Sequence, residues 1–334
     1  MEQKGAIYSV LTGGLGNQLF VIYTCMGKAI YENVEYFFIG EYDKNKGNIS
    51  LHRKTYWETP IFKNISNHVR KFEDLNVYSL IEESKIGYVT ELPSLKYCND
   101  KNIMLLNGYW QCYLFFDKYK KEINNVLGIS KITYNLKSKL PSTNKVLCSM
   151  HFRIGDYKKI QKRHPIMPLE YYKNALNHIV EHEKRDIMVL WYCHSPDITH
   201  VNNEYIVKLS SMFEQIEFKK LDKLDKLDKM DKLDKLDKLD KLDNAYEELL
   251  LVSLCNHNII ANSTFSWWSA YLNNNANKIV CYPETWYGNN ITNNEITNEQ
   301  NKTRMFPKQW IKITFNYVEQ QEKKRNNCVR RKVR

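Results

Sequence analysis

The segment Lys145-Val146-Leu147-Cys148-Ser149-Met150 reads as a short apolar strand, and it passes directly into His151-Phe152-Arg153-Ile154-Gly155-Asp156-Tyr157. In open α/β sheets, ligands bind in the crevice outside the carboxyl ends of the strands. Three ionisable groups around a glycine at such an edge favour that class of fold. His151 and Arg153 offer donors to an anion, and Asp156 can accept from a hydroxyl or orient the histidine. The structural alternative for this stretch is a surface turn held by an Arg–Asp ion pair.

The rest of the chain repeats the theme. Ala6–Leu11 reads as a first strand, Thr12-Gly13-Gly14-Leu15-Gly16-Asn17-Gln18 as a glycine-rich turn, and Leu19, Ile22, Tyr23, Met26 and Ile30 recur at helical spacing. A strand, glycine loop and helix form a common cradle for phosphate. As a dinucleotide fingerprint it is weak, because Leu19 stands where a third glycine belongs. Further strands are expected at 35–39, 103–106, 187–193, 257–261 and 278–283, and helices from Phe116 to Leu127, from Pro168 to about Glu183 and from Ala245 to Leu254, the last opened by a capping box of Asn244 and Glu247. Asn107-Gly108-Tyr109-Trp110-Gln111 leaves its strand as either a sugar platform or core. Asn262-Ser263-Thr264-Phe265-Ser266-Trp267-Trp268 follows a short strand, with Ser263 as N-cap of a helix whose free N–H groups suit an anion, and with the tryptophans packing on the sheet. Alternating strands and helices predict mostly parallel sheets.

Length and charge set the remaining bounds. With 334 residues two domains are expected. The polar, proline-bearing segment Lys137–Asn144 divides them, giving an N-terminal α/β domain over 1–140 and a C-terminal one over 145–318. The net charge is +11, but seven positive charges lie beyond Glu322, so 319–334 reads as a basic tail. Nucleic-acid binding would rest on that tail alone and is not expected. Lys220–Asp243 repeats Lys-Leu-Asp, whose period of three builds no apolar stripe on a helix, so it reads as a surface insertion without chemistry. The eight cysteines include no CxxC pair and read as reduced core thiols. No apolar run reaches the ~18–20 residues of a membrane span, and Met1-Glu2-Gln3-Lys4-Gly5 has no signal-peptide shape. The expectation is a cytoplasmic protein without a membrane anchor.

Two candidate phosphate sites, at His151–Asp156 and Ser263–Phe265, join the glycine loop in the other half. No DxD dyad stands at a strand end, so a nucleotide-sugar diphosphate held without metal fits the motifs. At these residues the chain resembles the α-1,2-fucosyltransferases, which move fucose from GDP-fucose to galactose. The resemblance rests on Gly13-Gly14-Leu15-Gly16-Asn17-Gln18-Leu19-Phe20, on His151–Tyr157 against that family's His-x-Arg-Arg-x-Asp element, and on Ala261–Leu272. Gly108-Tyr109-Trp110-Gln111 and Tyr282-Pro283 match as well, over roughly residues 6 to 315. One departure is Ile154, where the family pattern has a second arginine.

The resemblance implies an α/β, GT-B-like fold of two Rossmann-like domains facing a cleft, and an inverting, metal-independent transfer with no cofactor besides the GDP-fucose donor. His151, Arg153, Gly155, Gly14, Gly16, Ser263, Thr264 and Phe265 would hold the donor. Arg153 would stabilise the departing diphosphate, and Asn17 would position a galactose-terminated glycan acceptor; in this sequence Asp156 is the candidate base, the alternative being that it orients His151 or a ribose hydroxyl. The missing charge at Ile154 would then weaken donor binding or change the donor.

Overall fold

The computed structural model describes residues 5–41, 55–57, 59–71, 78–83, 89–95, 102–221, 245–288 and 304–315. Most of the Lys-Leu-Asp tract, Asn244 of the expected capping box, and the basic tail lie outside these residues. Two parallel sheets carry the fold. The first comprises β1 (Ala6–Val10), β2 (Glu35–Glu41), β3 (Val69–Lys71), β4 (Ser79–Glu82) and β5 (Ile103–Asn107), in the order β3-β2-β1-β5-β4. The second comprises β6 (Val146–Phe152), β7 (Ile187–Cys193), β8 (Glu217–Lys220), β9 (His257–Ile259), β10 (Val280–Pro283) and β11 (Ile311–Ile313), in the order β11-β10-β9-β6-β7-β8. All described pairings are parallel, and β6 runs beside β7 in a register from Val146↔Ile187 to Phe152↔Cys193. These are the two Rossmann-like units that the sequence predicts. Every residue of β6 is buried, as a strand covered on both faces requires.

The sheet orders fix where a ligand can sit. In the first sheet the direction of strand progression reverses between β1 and β5, and in the second between β6 and β9. Such reversals open a crevice at the carboxyl edge, because the loops on either side diverge.

Helix α1 (Leu15–Glu32) joins the two units. Fourteen of its eighteen residues are buried. A helix covered nearly all round loses a single polar face, and α1 does so because it lies between its own sheet and α5 (Thr264–Leu272) of the second unit. Phe20 stands 4.4 Å from the Trp267 ring and 5.0 Å from Trp268, and Tyr23 stands 4.4 Å from Trp268. Phe116 stacks on Trp268 at 5.5 Å, just ahead of α2 (Lys120–Leu127), whose Asn124 accepts the Tyr23 hydroxyl at 2.6 Å. Each aromatic pair adds about 0.5–1.5 kcal/mol beyond its buried area. The tryptophan pair therefore packs across to the first unit, not simply on its own sheet.

Smaller differences have local causes. Pro168 occupies the N-cap, with ψ of 162°, and α3 spans Leu169–His182. The helix expected from Phe116 begins only at Lys120, after two short 3₁₀ turns. Helix α4 spans Ala245–Val252. Cys25, Cys112, Cys148, Cys193, Cys255 and Cys281 are free thiols, all buried but Cys193. No helix among the described residues is long and apolar enough to cross a membrane.

Candidate active site

The glycine turn, Gly108–Gln111, Arg153–Lys159 and Ile260–Ser263 leave β1, β5, β6 and β9, the strands that flank the two reversals. Sequence motifs singled out for their chemistry thus meet at the positions where this topology opens a crevice.

Gly16 sets the distance between the halves. A Cβ placed there would stand 2.5 Å from the carbonyl carbon of Thr264 and 2.7 Å from the Phe265 nitrogen. The first turns of α1 and α5 therefore touch through backbone, and Gly16 serves packing between helices. Gly14 is the N-cap of α1, and Gly13 adopts φ of 72°, with Gln18 Nε2 donating to its carbonyl at 2.9 Å. Ser263 holds the N-cap position of α5, but its hydroxyl makes no capping bond. The first N–H groups of α5 have no partner within the helix, and the positive end of the helix dipole points the same way.

Arg153 and Asp156 form an ion pair at 2.7 Å, with 29% and 48% of their side chains exposed. The guanidinium also lies 5.0 Å from the centre of the Tyr157 ring. Both groups stay reachable by a ligand. The loop that carries them is anchored from beneath by Asp197, which lies on a neighbouring loop of the same rim and has no chemical role assigned from sequence. Its carboxylate accepts the Gly155 N–H at 2.8 Å and pairs with Lys158 at 2.7 Å, and its side chain is 3% exposed. Burial alone would raise the Asp197 carboxyl, but these two partners outweigh it and hold it below the usual carboxylate range. The signal for Asp197 was its place in His194-Ser195-Pro196-Asp197 at the end of the neighbouring strand β7.

His151 lies behind this surface. Its ring is buried, stacks on Tyr192 at 4.7 Å and tilts against Phe265 at 5.8 Å. Burial, helped by the Arg153 charge, pushes its pKa down to about 3, so the imidazole is neutral at physiological pH. Its Nδ1 is buried without a hydrogen-bond partner among the described residues. Ile154 is 2% exposed and belongs to the core beneath the second sheet. The position of the departure from the family pattern points inward, so the expected loss of a donor contact there does not follow.

Asn17 is tied to the far side of the crevice. Its Oδ1 accepts from Gln111 Nε2 at 3.1 Å, and Gln111 Oε1 accepts from the Tyr287 hydroxyl at 2.9 Å. His164 lies 5.7 Å from the Tyr287 ring and stacks on Tyr157 at 5.0 Å. Tyr157 donates its hydroxyl to the Asn262 carbonyl at 3.0 Å. A continuous line of contacts therefore runs from Arg153 through Tyr157, His164, Tyr287 and Gln111 to Asn17. Tyr287 and His164 had no sequence signal beyond lying on loops after strands. Trp110 is fully buried at φ of 54°, with its N–H and that of Tyr109 donated to Glu83, so only Tyr109 of that aromatic pair is exposed.

The arrangement offers an accessible arginine, a helix N-terminus, a carboxylate beside the arginine, and a fixed side-chain amide across the crevice. It can bind a diphosphate, stabilise charge on it as it leaves, and orient a hydroxyl. The sequence profile of glycosyl transferase family 11 matches residues 90–314. The O-antigen biosynthesis glycosyltransferase WbnK of Escherichia coli is 25% identical over 92% of this chain and 100% of its own length. An alpha-1,2-colitosyltransferase of Escherichia coli is 25% identical over 91% of this chain and 97% of its own. Among solved structures, fucosyltransferase NodZ from Bradyrhizobium superposes with a TM-score of 0.43 at 11% identity, covering 80% of this chain and 93% of that one.

Proposed function

The chain belongs to glycosyl transferase family 11, and we propose that its reaction is transfer of fucose from GDP-fucose to a galactose hydroxyl of a glycan, in α-1,2 linkage and with inversion. The observation that carries this reading is the position of Arg153. It stands on the loop after β6 at the strand reversal, paired with Asp156 and over the ring of Tyr157, whose hydroxyl bonds the Asn262 carbonyl just ahead of α5.

In this reading the donor's diphosphate lies between the Arg153 guanidinium and the N–H groups that open α5. Charge builds on that diphosphate as the C1–O bond breaks through an oxocarbenium-like state, and donors fixed in advance stabilise it without reorganising. Metal ions are not needed for this task, because a guanidinium binds phosphate oxygens in a bidentate manner. The diphosphate competes with Asp156 for Arg153. The carboxylate so released is placed to take the proton of the attacking hydroxyl. Asn17, its amide orientation fixed through Gln111 and Tyr287, holds the acceptor. Alignment of the two substrates lowers the barrier further. His151, buried and neutral, supports the donor loop by packing on Phe265.

A second reading concerns the sugar. A relative matched along nearly the whole chain is named for transferring colitose through an α-1,2 linkage. That keeps the linkage and changes the donor. Incubation with GDP-fucose, nucleotide-activated colitose and UDP-galactose, each with a panel of galactosides, separates the readings by the rate of nucleotide release. Fastest release from GDP-fucose is expected. Release from the colitose donor alone would establish the second reading, and release from UDP-galactose alone would remove both.

A further inference from the structure

The outer face of α3 carries His178, Glu181 and His182, at spacings i, i+3 and i+4. That spacing places all three on one side of the helix. The apolar residues Tyr171, Tyr172, Ala175, Leu176 and Ile179 occupy the adjoining side and pack on the second sheet, and His178 at the border is partly buried. One ligating atom from each of the three lies within 4.8 Å of the others, and the two imidazole centroids are 4.2 Å apart. Two ligands on one ion at about 2.1 Å stand at most about 4.2 Å apart. Side-chain rotations moving each group by less than about 1 Å would bring them there, and Glu181 and His182 are exposed.

Two further features prepare the cluster. His182 Nδ1 lies 2.8 Å from the His178 carbonyl oxygen. An oxygen of that kind can only accept, so Nδ1 carries the proton and Nε2 presents its lone pair outward. Histidine ligands are commonly oriented by such a bond. The cluster also fills the last turn of α3, where the unpaired carbonyls favour a cation. Neighbouring groups are accounted for. Glu183 is engaged by Arg185 at 2.7 and 2.9 Å and by His257 at 3.2 Å, and the Lys184 amine is bound to the Glu181 carbonyl at 2.9 Å.

We propose that His178, Glu181 and His182 form a binding site for a divalent transition-metal ion. Two imidazoles and one carboxylate suit zinc, nickel or copper and disfavour magnesium and calcium, which prefer oxygen. Three protein ligands leave the remaining positions to water. The ion pins the last turn of α3. Because α3 starts at the carboxyl edge of β6 and ends just before β7 begins, the site lies at the sheet edge opposite Arg153. It is separate from the transfer reaction.

The test is calorimetric titration of the tag-free full-length protein with zinc chloride and with nickel chloride, beside the double variant His178→Ala/His182→Ala and the single variant Glu181→Gln. The wild type is expected to bind one ion at micromolar concentration and to melt at higher temperature with zinc. The double variant is expected to bind at least about thirtyfold more weakly, the glutamine variant severalfold more weakly, and magnesium chloride to give no shift. Unchanged affinity in the double variant, or zinc binding no tighter than magnesium in the wild type, would overturn the site. A lower transfer rate in the folded double variant, checked by circular dichroism, would overturn its separation from the reaction.

Discussion

Gly16 in the first turn of α1 meets Thr264 in the first turn of α5 so closely that a Cβ on the glycine would lie 2.5 Å from the Thr264 carbonyl carbon. Backbone on both sides leaves neither helix a flexible end to yield. Gly16→Ala is therefore expected to force the helices apart, at a cost of about 1–3 kcal/mol for overpacking. Thermal unfolding should show the lower midpoint. Transfer should fall more steeply than stability, because the same contact sets the distance between Asn17 and the donor loop. An alanine variant as stable and active as wild type would show that the halves have slack at this point.

Ile154 gives a prediction opposite to the one its alignment suggests. Restoring the family's arginine there looks like regaining a donor contact. The side chain is instead enclosed in the core under the second sheet, and an unpaired buried charge is strongly destabilising. Ile154→Arg should reduce soluble yield and lower the denaturation midpoint. Stronger donor binding with unchanged stability would mean that the loop can turn this position outward.

Tyr287 reaches from the second unit to Gln111 of the first, and through it to Asn17. Tyr287→Phe deletes the hydroxyl and with it the bond to Gln111, worth about 0.5–1.5 kcal/mol. If Asn17 positions the acceptor, the loss should appear as a higher KM for the galactoside, with the KM for the donor unchanged. A purely structural role would move both constants together, or neither.

The pH dependence of stability has a worked sign. His151 has its pKa pushed down to about 3 by burial, from an ordinary value near 6.5. Below about pH 6.5 the unfolded chain takes up a proton that the folded chain refuses until about pH 3. Stability from this residue is therefore full above pH 6.5 and lost as pH falls through that window, with a slope of up to about 1.4 kcal/mol per pH unit. His151→Phe keeps a ring against Tyr192 and removes the titration. Its denaturation midpoint should decline less between pH 6.5 and 4 than that of wild type, and an identical decline would assign the effect to other groups.

Much of this could be read from the residues. The strand-to-motif junctions at Val10, Phe152 and Ile259 are marked by apolar runs that stop at polar or glycine-bearing segments, and a strand covered on both faces has no alternative pattern. The order of strands could not be read, because it depends on which crossovers pack, and so the convergence of four loops at two reversals appears only in the fold. Contacts across the halves were hidden for the same reason. Gly16 suggested a phosphate loop until Thr264 was seen against it, and Tyr287 meets Gln111 only because α1 and α5 pack together. Asp197 was obscured because a lone carboxylate after Ser-Pro has no distinctive spacing. Ile154 misled because a motif match does not say which side chains of the loop after β6 turn toward the core.

Arg153 bears most of the proposed chemistry, and its exposed pair with Asp156 can be broken without touching the core. Removing one fixed donor from a developing negative charge typically costs about 10²–10³ in rate. The decisive measurement is product formation from GDP-fucose and a β-galactoside, followed by linkage analysis by NMR, for wild type and for Arg153→Ala verified as folded. The expected result is an α-1,2-fucosylated product from the wild type and a turnover lower by at least about a hundredfold in the variant. Full turnover by Arg153→Ala, or a wild-type product with fucose at another position, would contradict the assignment.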